Sequence, residues 1–179
     1  MELFLVVLGG RIRGCHIEQH DVRWVVGKGI DDTLPKLREE WIGLRTGLHI
    51  DSYKAIRHVD GHRIEVKEQT ETQAVCNEPK LWFVNLGGYT ATSMAEQHQF
   101  GLVVAKTSQA AKARAKRRWL QNLEQIHKDD LHDLRMDPAL DDLLPIEGNG
   151  RWVLQLSPSR QDTDDDSPET PDWYGYWKI

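Results

Sequence analysis

Cysteine is scarce in this chain: there are two, Cys15 and Cys76, far apart and in no CxxC spacing. That usage excludes a disulfide framework and a thiolate zinc site, and a reducing compartment is the expectation. Long apolar runs are missing as well. The run from Leu3 to Leu8 is too short for a membrane span or a secretion signal, and Glu2 stands where a signal would be basic. The sequence therefore predicts a mature, soluble, cytoplasmic protein with no membrane partner. A basic surplus is the third absence. The net charge is −5, and residues 160–179 set Asp162, Asp164, Asp165, Asp166, Glu169 and Asp172 against only Arg160 and Lys178, so the body is close to neutral. Nucleic acid is accordingly not an expected partner, because phosphate contacts need a concentrated Lys/Arg surface. No HExxH or comparable metal spacing is present, so no metal or cofactor is legible.

What the chain does hold is enough apolar material for a core, 39% hydrophobic residues with seven Trp, and a repeat. Shifting the sequence by 78 residues aligns residues 3–51 with 81–129 without a gap, and 14 of the 49 pairs are identical. Chance supplies about three. Leu3, Val6, Leu8, Gly9 and Gly10 meet Leu81, Val84, Leu86, Gly87 and Gly88, an apolar strand ending in a Gly-Gly pair. Glu18-Gln19-His20 meets Glu96-Gln97-His98, Trp41 meets Trp119, and His49-x-Asp51 meets His127-x-Asp129. Each half closes on a hairpin signal, Asp60-Gly61 between 56–59 and 62–66, and Asn149-Gly150 between 144–147 and 151–156. A helix is predicted from Asp31 or Asp32, with Pro35 in its first turn and Leu34, Leu37, Trp41 and Leu44 facing the core. A second begins near Ser108 with Ala111, Ala115, Trp119 and Leu123.

The strings Leu8-Gly9-Gly10, His16 to Gly27, Leu48 to Ser52 and Val59 to Ile64 resemble the bacterial family catalogued as domain of unknown function 1543. The resemblance implies one or two copies per chain, here two in tandem, and brings no activity with it. It covers residues 3–66 closely and 81–156 more loosely. The second copy departs at His16, Asp21 and Arg23, which Met94, Gln99 and Gly101 replace.

The expected fold is α+β (or α/β), an internal duplication of a ββαββ unit packed as a pseudo-two-fold dimer. Residues 1–68 and 80–157 are the repeats, 69–79 a linker, and 158–179 a tail that is acidic and Pro-rich before an aromatic end. Trp173, Tyr174, Tyr176, Trp177 and Ile179 are costly to leave in water, so this end is expected to dock on the body or on a partner, a second copy included. Candidate chemistry rests on the repeated ionisable residues Glu18, His20, His49 and Asp51 and their counterparts Glu96, His98, His127 and Asp129. Spacing by two in extended chain points both members of a pair to one side, which suits acid–base work, ligand binding or metal ligation. The competing reading is that they satisfy backbone groups in both halves. The Gly-Gly pairs read as turns or bulges rather than phosphate cradles, since no helix follows them. Cys15, aligned with Ser93, is a weaker candidate nucleophile. The run Lys112, Arg114, Lys116, Arg117, Arg118 reads as a solvated helix face. The functional expectation is a small-molecule-binding protein or enzyme with its site between the repeats. The alternative is a non-catalytic interaction module acting through the aromatic tail.

Overall fold

The computed structural model describes residues 1–68, 79–134, 152–159 and 170–179. In chain order its elements are β1 (Glu2–Gly10), β2 (Gln19–Gly27), α1 (Ile30–Glu40), β3 (His49–Ile56), β4 (His58–Val59), β5 (His62–Glu68), β6 (Lys80–Tyr89), β7 (Gln97–Ala105), α2 (Ser108–Arg118), β8 (Glu124–Asp133), β9 (Trp152–Pro158) and β10 (Trp173–Lys178). The shift that aligns the halves of the sequence also aligns their elements: β2 with β7 and α1 with α2 match end to end. Each half places the strand that carries Gly-Gly at the centre, in the orders β3-β1-β2 and β8-β6-β7.

The expected assembly of ββαββ units in an α+β or α/β fold does not form. Of the described residues 54% are strand and 15% helix, and the strands pair antiparallel throughout, so the fold is β-rich. Two features account for the difference. The segment at 56–59 is the end of a longer excursion, because His49–Ile56 is already a full strand against β1. Its polar and apolar residues do not alternate cleanly, which hides it from a period-two reading. The hairpin then leaves its own sheet: β5 pairs along its length with β9 of the other half, giving a separate sheet β4-β5-β9. The first hairpin turn is as expected, with φ of 50° at Asp60 and 70° at Gly61, the left-handed pair that a two-residue turn needs. The second turn at Asn149-Gly150, most of the linker and residues 160–169 of the acidic tail lie outside the described residues.

The helices begin slightly differently from expectation. α1 starts at Ile30 after Gly29, and the Asp32 carboxylate accepts from the Lys28 amide at 3.0 Å, so Asp32 caps from inside the first turn. Pro35 therefore falls in the second turn. α2 is capped by Thr107, whose hydroxyl accepts from the Ala110 amide at 3.2 Å.

Alternation along the central strands sorts their side chains onto two faces. In the second half, Trp82, Val84 and Leu86 pack with Val103, Ala111 and Ala115 beneath α2. Leu81, Phe83, Leu102 and Val104 point the other way and join a core shared with Leu3 and Leu5 of the first half. Burial of one face of each half against the other is the hydrophobic tie between the copies. A polar tie reinforces it. The Asp60 side chain, 5% exposed, accepts from the Val104 amide at 2.7 Å and from Arg114 at 2.8 Å, and it also pairs with Arg118. With Lys116 bonded to the Ile126 carbonyl, three of the five cations in the α2 basic run have partners within the protein. This corrects the reading of that run as a purely solvated face.

The aromatic end docks on the body. β10 adds to the outer edge of β3 as a fourth strand, with Trp173 stacked on Tyr53 and Tyr176 stacked on His49. Gly175, at φ 147°, lies where the register shifts between Tyr174 and Trp177. Among the described residues no helix is long and apolar enough to cross a membrane.

Candidate functional site

The four repeated ionisable residues of each half converge. Gly9 of β1 lies opposite His20 on β2 and His49 on β3, and Gly87 of β6 lies opposite His98 and His127 in the same way. Residues directly opposite one another in antiparallel strands share a face, so each glycine has a histidine on either side. Asp51 and Asp129 are the extra residues of β-bulges, where β3 and β8 slip against the central strand. The bulge brings each carboxylate beside its neighbouring histidine.

In the first half, His20 Nε2 is 3.3 Å from Asp51 Oδ2, and Asp51 Oδ1 is 3.1 Å from His49 Nε2. Glu18 Oε1 approaches His49 Nε2 at 3.9 Å. His49 is fully buried, its Nδ1 lies 2.8 Å from the Gly47 carbonyl, and the Tyr176 ring covers it at 4.0 Å. A carbonyl oxygen can only accept, so Nδ1 is the donor in that bond. His20, by contrast, is exposed. The result is a chain of contacts from an exposed imidazole through a carboxylate to a buried, anchored one.

The second half repeats the set more openly. His98 Nδ1 is 3.0 Å from Asp129 Oδ2, and His127 bridges both carboxylates, Nε2 at 2.6 Å from Glu96 Oε1 and Nδ1 at 2.8 Å from Asp129 Oδ1. The His127 side chain is 44% exposed, against 2% for His49. Tyr89 replaces Tyr176 as the aromatic neighbour, its ring 5.7 Å from His127. Hydrogen bonding to Glu96 is the largest of the effects that hold the Tyr89 phenol above its ordinary value of 10.0, followed by desolvation and the charges of Glu96 and Asp129. All four favour the protonated phenol. Replacing Glu96 by Gln is therefore expected to bring the phenolate absorbance step of Tyr89, read as the difference from a Tyr89→Phe control, down toward 10.0.

The Gly-Gly pairs are neither turns nor phosphate loops. They lie inside β1 and β6, and each glycine clears one face of the sheet. A Cβ at Gly9 would fall 2.5 Å from His49 Nε2, and one at Gly87 would collide with Glu96 and lie 2.6 Å from Asp129. Gly10, on the other face, makes room for Trp41. The spacing of these glycines before the His/carboxylate pairs is a signal that a strand reading of the sequence could have used. Cys15 is exposed in the loop after β1, not packed as a small apolar residue.

Between the halves lies a cleft of about 800 Å³. His20 and His98 both line it, as do Val7 and Asn85, and Val22 and Phe100, three pairs that the 78-residue shift relates. Trp24, Phe83 and Phe100 give it aromatic surface, with ring centroids 5.0 and 6.0 Å apart. Asp21 neutralises Arg23 at 2.6 Å on the same wall.

A duplicated antiparallel unit with a His/carboxylate cluster at the glycine end of each central strand is thus the class of protein defined here. The chain belongs to the family described as Domain of Unknown Function (DUF1543), whose model matches residues 15–66 and again 93–144. Both matches include all four cluster residues of their half. The chain is also similar to a solved structure described as a protein Il1583 from Idiomarina loihiensis, with 31% identity over 98% of this chain and 95% of that one and a TM-score of 0.65. No match was found among curated proteins.

Proposed function

We propose that the chain binds a small molecule in the cleft between its repeats and that the His20–Asp51 pair transfers a proton to or from it. The observation that supports this most is that each cluster sends an exposed, carboxylate-oriented histidine, His20 or His98, into the same cleft. A carboxylate beside an imidazole fixes its orientation and stabilises the imidazolium formed in proton transfer. The cleft volume is that of ordinary ligand sites, and its aromatic wall suits a flat, largely apolar body carrying a polar group at the histidine end.

The test is a thermal-shift screen with a panel of small aromatic acids and aldehydes. A ligand present at about 100 times its Kd should stabilise the protein by about 2.7 kcal/mol. Val22→Trp, which fills the cleft from its β2 wall, should remove that shift. His20→Gln should retain binding and slow any turnover the ligand undergoes. A panel without a single shift, or a shift that Val22→Trp leaves unchanged, sinks the proposal.

A further inference from the structure

The 78-residue shift relates the two walls of the cleft, yet they differ in chemistry at one level. Asn85 on β6 lies opposite Phe100 of β7 and Asp130 of β8, so these three side chains form one row across the face that lines the cleft. The same row in the first half is Val22, Val7 and Ser52. At that level the first wall is largely apolar, and the second carries acceptors beside an aromatic ring. Asn85 donates from Nδ2 to Asp130 Oδ2 at 3.1 Å. A carboxylate can only accept, which fixes the orientation of the amide and leaves Asn85 Oδ1 with no donor. Asp130 itself is exposed and, among the described residues, pairs with no cation. Arg23, the cation on the first wall, is held 2.6 Å from Asp21 and 3.9 Å from Glu40. The described lining therefore sets three carboxylates, Asp21, Glu40 and Asp130, against one guanidinium that is already neutralised.

We propose that the cleft selects amines: its ligand is an arylalkyl ammonium whose charged nitrogen pairs with Asp130 beside the Phe100 ring and whose aromatic body rests against Val7, Val22 and Trp24. This rests on the cleft reading above and adds the charge of the ligand to it. An ammonium brings three donors and no acceptor, which suits a carboxylate without a cation and an amide oxygen without a donor. An aromatic ring attracts the same charge, and Phe100 stands next to Asn85 across the strand pair. An aromatic acid of equal shape meets Asp130 with like charge and gains nothing from the neutralised Arg23. The row adjoins the one formed by Gly87 and His98, so the amine falls at the histidine end of the cleft. Asn85 is a positioning residue, holding the Asp130 carboxylate from the central strand.

The experiment compares three probes of one shape, tryptamine, tryptophol and indole-3-acetate, by calorimetric titration of the full chain. Tryptamine should bind about 10-fold more tightly than tryptophol, the return from a charged hydrogen bond, and indole-3-acetate more weakly than either. Asp130→Asn should bring tryptamine to within about 3-fold of tryptophol, and in the wild type the preference should shrink as salt rises. Asp130 is exposed on the edge strand β8, so its substitution leaves the fold intact. Asn85→Val, which installs the first-half residue, should reduce the preference to a lesser degree. Asp31→Asn, which removes an exposed acid of α1 outside the cleft, should keep it whole. Equal binding of the three probes, tighter binding of the acid, or a preference that survives Asp130→Asn overturns the amine assignment and leaves the cleft reading standing. Tryptamine binding that Val22→Trp does not disturb overturns both. Failure of all three probes overturns the amine assignment, and the wider ligand panel then decides the cleft reading separately.

Discussion

Gly9→Ala should lower stability by about 3 kcal/mol, a fall in Tm of roughly 6–12 °C for a chain of this length, measured by thermal unfolding. The added methyl would lie 2.5 Å from His49 Nε2 and 2.8 Å from its Cε1. His49 has nowhere to go. It is fully buried, held at Nδ1 by Gly47 and covered by Tyr176, so the strand itself must shift. The double substitution Gly9→Ala/His49→Ala separates this cause from a general loss of strand propensity: with the ring gone, the added methyl should cost much less than it does alone. An unchanged cost would mean that the ring is not the obstacle. The matching change at Gly87 should cost less than at Gly9, because the first atoms met there are the carboxylate ends of Glu96 and Asp129, whose side chains are 23% exposed and can swing aside, rather than a buried ring.

The second large effect is expected at the turn that joins the copies. Asp60→Ala should destabilise by about 3 kcal/mol, at the low end for a broken buried ion pair because Arg114 keeps 37% of its side chain exposed. It strips partners from Arg114, Arg118 and the Val104 amide at once. It also places alanine at φ 50°, where asparagine is tolerated and alanine is not. Asp60→Asn removes the charge while keeping the turn. Its loss in urea unfolding should therefore be about half that of Asp60→Ala; equal losses would assign the whole effect to the lost ion pairs, and no loss would assign it to backbone strain.

How far the residues themselves revealed this arrangement depends on how local each signal is. Duplication made the cluster legible: Glu18, His20, His49 and Asp51 recur at fixed spacing, but the bulges that set Asp51 and Asp129 beside their histidines leave no mark in the sequence. The glycines before them were misjudged because a Gly-Gly pair at the end of an apolar run looks like punctuation, and only the register across three strands shows what each glycine clears. β8 escaped notice because Glu124–Asp133 is mostly charged or polar, and its strand character comes from pairing with β6. Tertiary context overrides propensity in such segments. The pairing of β5 with β9, the bond of Asp60 to α2 and the stacking of Tyr176 on His49 all join residues with no local mark of their partner.

The placement of β10 also sets an order of events. β3 is made in the first third of the chain, yet its outer edge is covered by the last residues, down to the bond from the Ile179 amide to the Leu48 carbonyl. Until those residues arrive, the first half presents an open strand edge with Tyr53 uncovered, the kind of edge that recruits strands from other chains. The second half takes its sheet from residues close together in sequence and needs no such wait. The half made first is therefore the half finished last, and slow synthesis or a truncated message would leave its histidine cluster without its lid.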